Sequence, residues 1–321
     1  MARIAVVGSY GTGLSLRVPR MPGPGETVIG GPFDVQPGGK GSNQAVGAAR
    51  LGARVDLLTA LGTDPFAREA KALWEREGVN AARTIEVDAS TMVGVILVED
   101  SGQNRIAIAP GALELLDEAS VDAFGECIAT ADVCLVQLEI PVAAASRALA
   151  VARESGTITV LNPAPARPVD SAVLALADFL VPNELEAATL VGRKGTAREL
   201  GAELLAAGVR YAVITLGERG AICLWETGSE LVPGVEVQRV VDTTGAGDAF
   251  NAAFAVALAE GAEPIEATRR GCVAGAFSVQ QWGVIPGLPT REELDGLGSA
   301  HYFPHDWPSR TLHKTRRRTE E

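Results

Sequence analysis

At 321 residues the chain can bury a large core, in one domain or two. Its formal net charge of −12 argues against a nucleic-acid partner, whose phosphates it would repel, but leaves room for a nucleotide at a local positive site. Hydrophobic residues make up 47% and aromatics only 5%, so Ala, Val, Leu and Gly do the filling, which suits helices packed on a parallel sheet.

Arg3 to Val7 is a short apolar strand that ends at Gly8. The run Gly8-Ser9-Tyr10-Gly11-Thr12-Gly13 invites a dinucleotide reading, but the helix such a fingerprint must open is missing. Leu14 to Val18 is β-like, and prolines follow at 19, 22 and 24. Leu14 to Gln36 is rich in Pro and Gly, with short β-prone pieces. Gly38-Gly39-Lys40-Gly41-Ser42-Asn43 fails as a P-loop twice: Gly41 follows Lys40, and Asp34 stands where the first Gly belongs. What remains is a glycine-rich approach to a helix at Asn43 to Leu51, with a Lys and an Asn able to grip hydroxyls; a flexible turn is the bland alternative.

Val55 to Ala60 reads as a strand and Phe66 to Glu77 as a helix. Met92 to Ile108 reads as two strands about a turn at Asp100-Ser101-Gly102. With the Pro/Gly-rich segment it predicts a small β-sheet standing off the main sheet as a lid, the alternative being long surface loops. Strands follow at Val133 to Gln137, Ile158 to Leu161, Phe179 to Val181 and Ala212 to Leu216. Helices at Ala143 to Glu154, Leu185 to Val191 and Ala197 to Ala207 separate them. This alternation predicts a parallel α/β sheet with ligands outside the C-terminal strand ends.

Pro182-Asn183-Glu184-Leu185-Glu186 starts a helix, and Asn183 with Glu186 forms either a capping box or an outer shell around Mg²⁺. Thr215-Leu216-Gly217-Glu218-Arg219-Gly220 closes a strand with a turn suited to a nucleotide. Asp242-Thr243-Thr244-Gly245-Ala246-Gly247-Asp248-Ala249-Phe250 leads into an apolar, Ala-rich helix. Its N–H groups suit an anion, and its carboxylate could take a proton from an alcohol. Taken alone, an N-capped helix explains the same residues.

Cys127, Cys134, Cys223 and Cys272 form no C-x-x-C pair and read as reduced thiols. His301, His305 and His313 all fall near the C-terminus, leaving the body without a histidine for a triad or a zinc site. With no signal peptide and no apolar run of membrane length, the expected location is the cytoplasm. The basic run Lys314 to Arg318 reads as a solvated tail.

Six motifs in order resemble the ribokinase family of carbohydrate kinases (PfkB type) from about residue 3 to 295. They are Gly38 to Ala45, Gln137-Leu138-Glu139, Asn162-Pro163-Ala164-Pro165-Ala166, Pro182 to Glu186, Ile214 to Gly217 and Asp242 to Asp248. The resemblance implies a three-layer α/β fold with a small β lid and transfer of a phosphoryl group from MgATP to a sugar. The kinase domain would span 1–298, with lid segments at about 11–37 and 90–110, and a tail at 299–321. Asp248 would be the base, and Gly245, Ala246 and Gly247 the anion hole. Gly39, Lys40, Asn43 and Glu139 would hold the sugar, under Gly94 and Ile96 of the lid. Asn183 and Glu186 would organise phosphate and Mg²⁺, with Glu186 acting through water. Thr215, Gly217, Gly220 and Cys272 would line the nucleotide. Asp242, Thr244, Ser278 and Gly283 would hold K⁺, although a family Ser is Gly287 here. A homodimer through the lid is implied, with no nucleic acid or membrane partner.

One departure bears on the substrate. Gly11 and Gly13 replace the Asn and Asp that the family uses to grip the sugar. That leaves ribose open to question, with Tyr10 or Thr12 as candidate substitutes. A nucleoside kinase, a sugar-phosphate kinase and a degenerate sugar-binding regulator are the alternatives.

Overall fold

In the computed structural model, which describes residues 1–101 and 103–301, the alternating strands and helices build one large sheet. In chain order the strands are β1 (Arg3–Val7), β2 (Gly11–Val18), β3 (Phe33–Gly38), β4 (Arg54–Leu58), β5 (Ala60–Leu61), β6 (Ile85–Glu86) and β7 (Met92–Glu99). There follow β8 (Asn104–Ala109), β9 (Val133–Gln137), β10 (Ile158–Asn162), β11 (Phe179–Leu180), β12 (Tyr211–Thr215), β13 (Ala221–Trp225) and β14 (Gly228–Val232). The helices are α1 (Lys40–Arg50), α2 (Pro65–Glu77), α3 (Glu118–Ala123), α4 (Gly125–Thr130), α5 (Val142–Ser155) and α6 (Ser171–Leu174). They continue with α7 (Glu184–Val191), α8 (Ala197–Ala206), α9 (Ala246–Ala259), α10 (Pro264–Ser278), α11 (Val284–Gly287) and α12 (Arg291–His301).

The large sheet runs β14-β13-β12-β11-β10-β9-β1-β4. From β4 to β12 neighbours pair in parallel, and β13 and β14 add an antiparallel edge. Strands covered on both faces must be apolar throughout rather than alternating, and β9 is buried at every residue. Val6 enters a core with Trp74 and Phe254, while Ala5 and Val7 enter a second core with Ile128 and Leu149 on the opposite face. The parallel α/β reading holds, while the β13–β14 hairpin was not foreseen.

Helix α1 begins at Lys40, three residues before the expected Asn43. Gly39, at φ 87°, turns the chain into it, a conformation that costs a glycine little. The expected tail boundary at 298 falls inside α12, which continues to His301. His305, His313 and the basic run lie outside the described residues, as does Gly102 of the lid turn.

The lid forms as a separate sheet in the order β3-β2-β7-β8. Gly13 pairs with Gln36 and Gly94, and Gly94 pairs with Ile108, so these residues share one face. That face turns toward the main body, because the Gln36 side chain lies 3.1 Å from where a Cβ on Gly283 would stand. The outer face carries Phe33, Val35 and Val95, all exposed. Asp64 anchors the lid at its entry. It caps α2 by accepting from Ala67 N–H at 3.0 Å, and it accepts from Thr91 N–H at 2.7 Å and Thr91 Oγ1 at 2.8 Å, one residue before β7.

Candidate active site

The site gathers at the C-terminal ends of β1, β9, β10, β11 and β12, opposite the start of α9. At that start Gly245 has φ 83°, and a Cβ there would lie 2.6 Å from Val284 Cγ1, so both backbone and space require glycine. Ala246 N–H turns back to Thr243 O at 3.3 Å. Gly247 and Asp248 lie in the first turn, where a helix leaves its N–H groups without intrahelical acceptors. Nothing stands within 4 Å of a Cβ position on Gly247, so this side of the turn is open to an anion.

Asp248 is buried, at 6% exposure, yet both its oxygens are held by neutral amides. Asn43 Nδ2 donates to Oδ2 at 2.8 Å, and Gln44 Nε2 donates to Oδ1 at 2.9 Å. Asn43 Oδ1 is buried without a partner, which leaves an acceptor for a hydroxyl of a ligand. Lys40 and Glu139 meet nearby: Glu139 Oε2 accepts from Lys40 N–H at 2.8 Å and from Ser9 Oγ. Burial pushes the Lys40 ammonium down, but the charges of Asp248, Glu139 and Glu186 together outweigh it and raise its pKa. The charged form of Lys40 is therefore favoured. Gly39 and Gly41 let this segment approach β1 closely. A Cβ on Gly39 would stand 2.6 Å from Tyr10 Cα, and one on Gly41 would stand 2.5 Å from Ser9 N.

Asn183 and Glu186 form the capping box of α7. Glu186 N–H donates to Asn183 Oδ1, and Asn183 N–H donates to Glu186 Oε2, both at 2.8 Å. Burial raises the Glu186 pKa, against the Asn183 N–H and Lys40, which lower it. Thr215 is brought beside Asn183 by a bridge and donates its N–H to Pro182 O at 2.9 Å. Gly217 (φ 62°) and Gly220 (φ 93°) shape the following turn. Cys272 sits in the apolar core, and burial pushes its thiol up to about 12.

Asp242 Oδ1 accepts from Thr244 N–H at 2.9 Å, and Oδ2 accepts from Gly283 N–H at 3.2 Å. The N–H groups of Val241 and Asp242 both reach Val279 O, next to Ser278. Ser278 Oγ is buried without a partner, and a Cβ on Gly287 would lie 2.9 Å from it. The orphaned Ser278 hydroxyl leaves one buried oxygen here that would suit a monovalent cation. Among the described residues no three His, Cys, Asp or Glu side chains converge on a metal position.

On the lid, Ile96 Cδ1 lies 3.5 Å from a Cβ position on Gly13, and nothing stands within 4 Å of one on Gly94. At Gly11 the space is filled instead by Met92 Cε, 2.2 Å from the Cβ position. Tyr10 and Thr12, the candidate substitutes, are both buried, with the Tyr10 hydroxyl and Thr12 Oγ1 unpartnered. Tyr10 is fully buried edge-on against Trp74 at 5.4 Å, and Thr12 is 1% exposed.

Gln44, Gln137 and Asn162 were not singled out for a role from the sequence. Gln137 Nε2 donates to Gln44 Oε1 at 2.7 Å, and Gln44 Nε2 donates to Asn162 Oδ1 at 3.1 Å. The available signal was an amide side chain closing an otherwise apolar strand, at Gln137 on β9 and Asn162 on β10.

Residues 1–291 match the family model described as pfkB family carbohydrate kinase. A ribokinase of Schizosaccharomyces pombe is 38% identical over 311 residues, covering 92% of this chain and 98% of that one. A deoxyribokinase of Salmonella typhimurium is 33% identical over 298 residues, covering 91% and 97%. The structure of an Arabidopsis thaliana ribokinase complexed with ribose and ATP is similar with a TM-score of 0.88 and 30% identity, covering 92% of this chain and 99% of that chain.

Proposed function

The chain belongs to the pfkB family of carbohydrate kinases, and from that premise we propose that it transfers the γ-phosphate of ATP to a hydroxyl of ribose or a related pentose or ketose. The observation that carries this is Asp248, fixed by two amides in the first turn of α9 beside the open side of Gly247. Asp248 orients the acceptor hydroxyl and accepts its proton late in a loose transition state. The N–H groups of Gly245, Ala246 and Gly247 offset charge on the transferred group. Asn43, through its free Oδ1, holds the sugar together with Gly39, Lys40 and Glu139, and the lid excludes water that would otherwise take the phosphate. Asp248→Asn should lower kcat by several orders of magnitude with little change in ATP affinity. Turnover near wild type would remove Asp248 as the base.

Thr215, Gly217 and Gly220 line the nucleotide, with Cys272 contributing from the core behind it. Mg²⁺ bound with the phosphates would neutralise part of their charge, and Glu186, paired with Asn183, would hold it through water. Asp242, Thr244, Ser278 and Gly283 would hold K⁺, supported by the orphaned Ser278 hydroxyl. The exposed outer face of the lid, with Phe33, Val35 and Val95, pairs with the same face of a second copy. No helix among the described residues is long and apolar enough to cross a membrane, and the four unbridged cysteines suit the cytoplasm.

The unfilled, apolar space at Gly13, Gly94 and Ile96 favours a second reading of the acceptor. It fits a nucleoside or a sugar phosphate, whose extra bulk or charge a carboxylate at position 13 would crowd or repel. A panel of pentoses, ketoses, nucleosides and sugar phosphates, compared by kcat/KM, separates the two.

A further inference from the structure

The amide of Gln44 is used completely. Its two protons go to Asp248 Oδ1 at 2.9 Å and Asn162 Oδ1 at 3.1 Å, and its oxygen accepts from Gln137 Nε2 at 2.7 Å. Asn162 is itself oriented by donating Nδ2 to the backbone carbonyl of Val181 at 2.8 Å. Gln44 and Gln137 have no measurable exposure, and Asn162 has 6%. At this degree of burial a wrong orientation would leave polar groups facing their own kind. Rotating the Gln44 amide by half a turn would set its oxygen against the oxygens of Asp248 and Asn162, and its NH₂ against that of Gln137. The sense of the chain is thus set at a backbone carbonyl, Val181 O, and passed through Asn162 and Gln44 to Asp248.

Room for this arrangement is built in at Gly8, the residue after β1. A Cβ on Gly8 would lie 1.9 Å from Gln137 Oε1 and 2.8 Å from Gly41 Cα. Gly8, which opens the glycine run that failed as a dinucleotide fingerprint, is therefore needed so that Gln137 can reach Gln44.

We propose that Gln44 is a positioning residue: through the Val181–Asn162–Gln44 chain, locked by Gln137, it aims and immobilises the Asp248 carboxylate for the acceptor hydroxyl. Asn43 grips the other oxygen but also faces the ligand side with its free Oδ1, whereas no atom of the Gln44 amide is left for a ligand. Removing Gln44 therefore acts on turnover and not on sugar affinity. This rests on Asp248 being the base.

The test uses the whole chain and two near-isosteric changes, Gln44→Met and Gln137→Met, with ribose and the best acceptor from the panel. Gln44→Met should lower kcat about ten- to a hundredfold, the size of one lost hydrogen bond to a charged group, with the KM values for sugar and ATP within about threefold. Gln137→Met, which touches Asp248 only through Gln44, should lower kcat less, in the same direction. In an Asp248→Asn background Gln44→Met should cost less than about twofold, because the two act as a unit. A folded Gln44→Met enzyme with unchanged kcat would overturn the proposal, as would an equal loss in the Asp248→Asn background or a loss appearing mainly in sugar KM. If Gln44→Met does not fold, unchanged kcat in a folded Gln137→Met enzyme would overturn it. Near-normal turnover of Asp248→Asn alone would instead overturn the assignment of the base.

Discussion

Gly13→Asp asks directly what the lid has given up. The backbone of Gly13 lies in an ordinary strand pairing with Gln36 and Gly94, so an L-residue fits without strain. Its Cβ would meet only Ile96 Cδ1 at 3.5 Å and Gln36 O at 3.7 Å, ordinary contact distances. The new carboxylate would project from the face turned to the site. A hydrogen bond to a charged group contributes about 1.5–3 kcal/mol, which corresponds to roughly ten- to a hundredfold in kcat/KM. Part of that gain is lost, because Asp248, Glu139 and Glu186 already share Lys40 and a fourth carboxylate adds repulsion. The expected outcome is about a tenfold gain for ribose, which offers a vicinal diol, and little gain for 2-deoxyribose, which lacks the 2-hydroxyl. The assay is ADP release with each sugar, at matched protein stability. Equal gains for both sugars, or none for ribose, would refute the argument that the lid lacks a diol partner. Gly11→Asn is the internal contrast, since its side chain must first displace Met92 Cε.

Replacing K⁺ by a large organic cation should lower kcat several-fold, and Ser278→Ala should weaken the response to K⁺; a flat response to K⁺ in kinetic titrations would count against the cation site. Asp64→Ala removes a helix cap and the hold on Thr91 and should cost about 1–3 kcal/mol, read from thermal or urea melts. Burial raises the Asp64 pKa, but hydrogen bonds from Thr91 and Ala67 outweigh it and leave the carboxyl below its ordinary value. Its contribution is therefore present above that value and is lost as pH falls through the lower folded pKa, a loss the Asp64→Ala melts should lack. Phe33→Asp should convert a dimer to a monomer in sedimentation, with kcat changed less than the association constant.

The buried strands were legible because a sheet covered on both faces needs continuous apolar runs, and Val133 to Val136 is one, closed by Gln137. The lid was legible from β-prone pieces that break the helix rhythm. The glycine and carboxylate turn at Gly245 to Asp248 was legible because backbone freedom and a helix start are local properties. The Gln44 network was not, since Gln44 lies 204 residues from Asp248, 118 from Asn162 and 93 from Gln137 along the chain. No local pattern reports a hydrogen bond of that reach. The start of α1 was placed late because the signal lay in Gly39's positive φ rather than in any helix-forming residue.

The two sheets carry separate responsibilities. Asp248 and its amide supports are tied to strand ends of the large sheet, while Gly11, Gly13, Gly94 and Ile96 belong to the small one. On the proposed function, lid substitutions would change which molecule is accepted while Asp248 keeps its amide supports. A lineage could drift through successive acceptors by exchanging a few β2 and β7 residues, keeping its catalytic rate in reserve at every step.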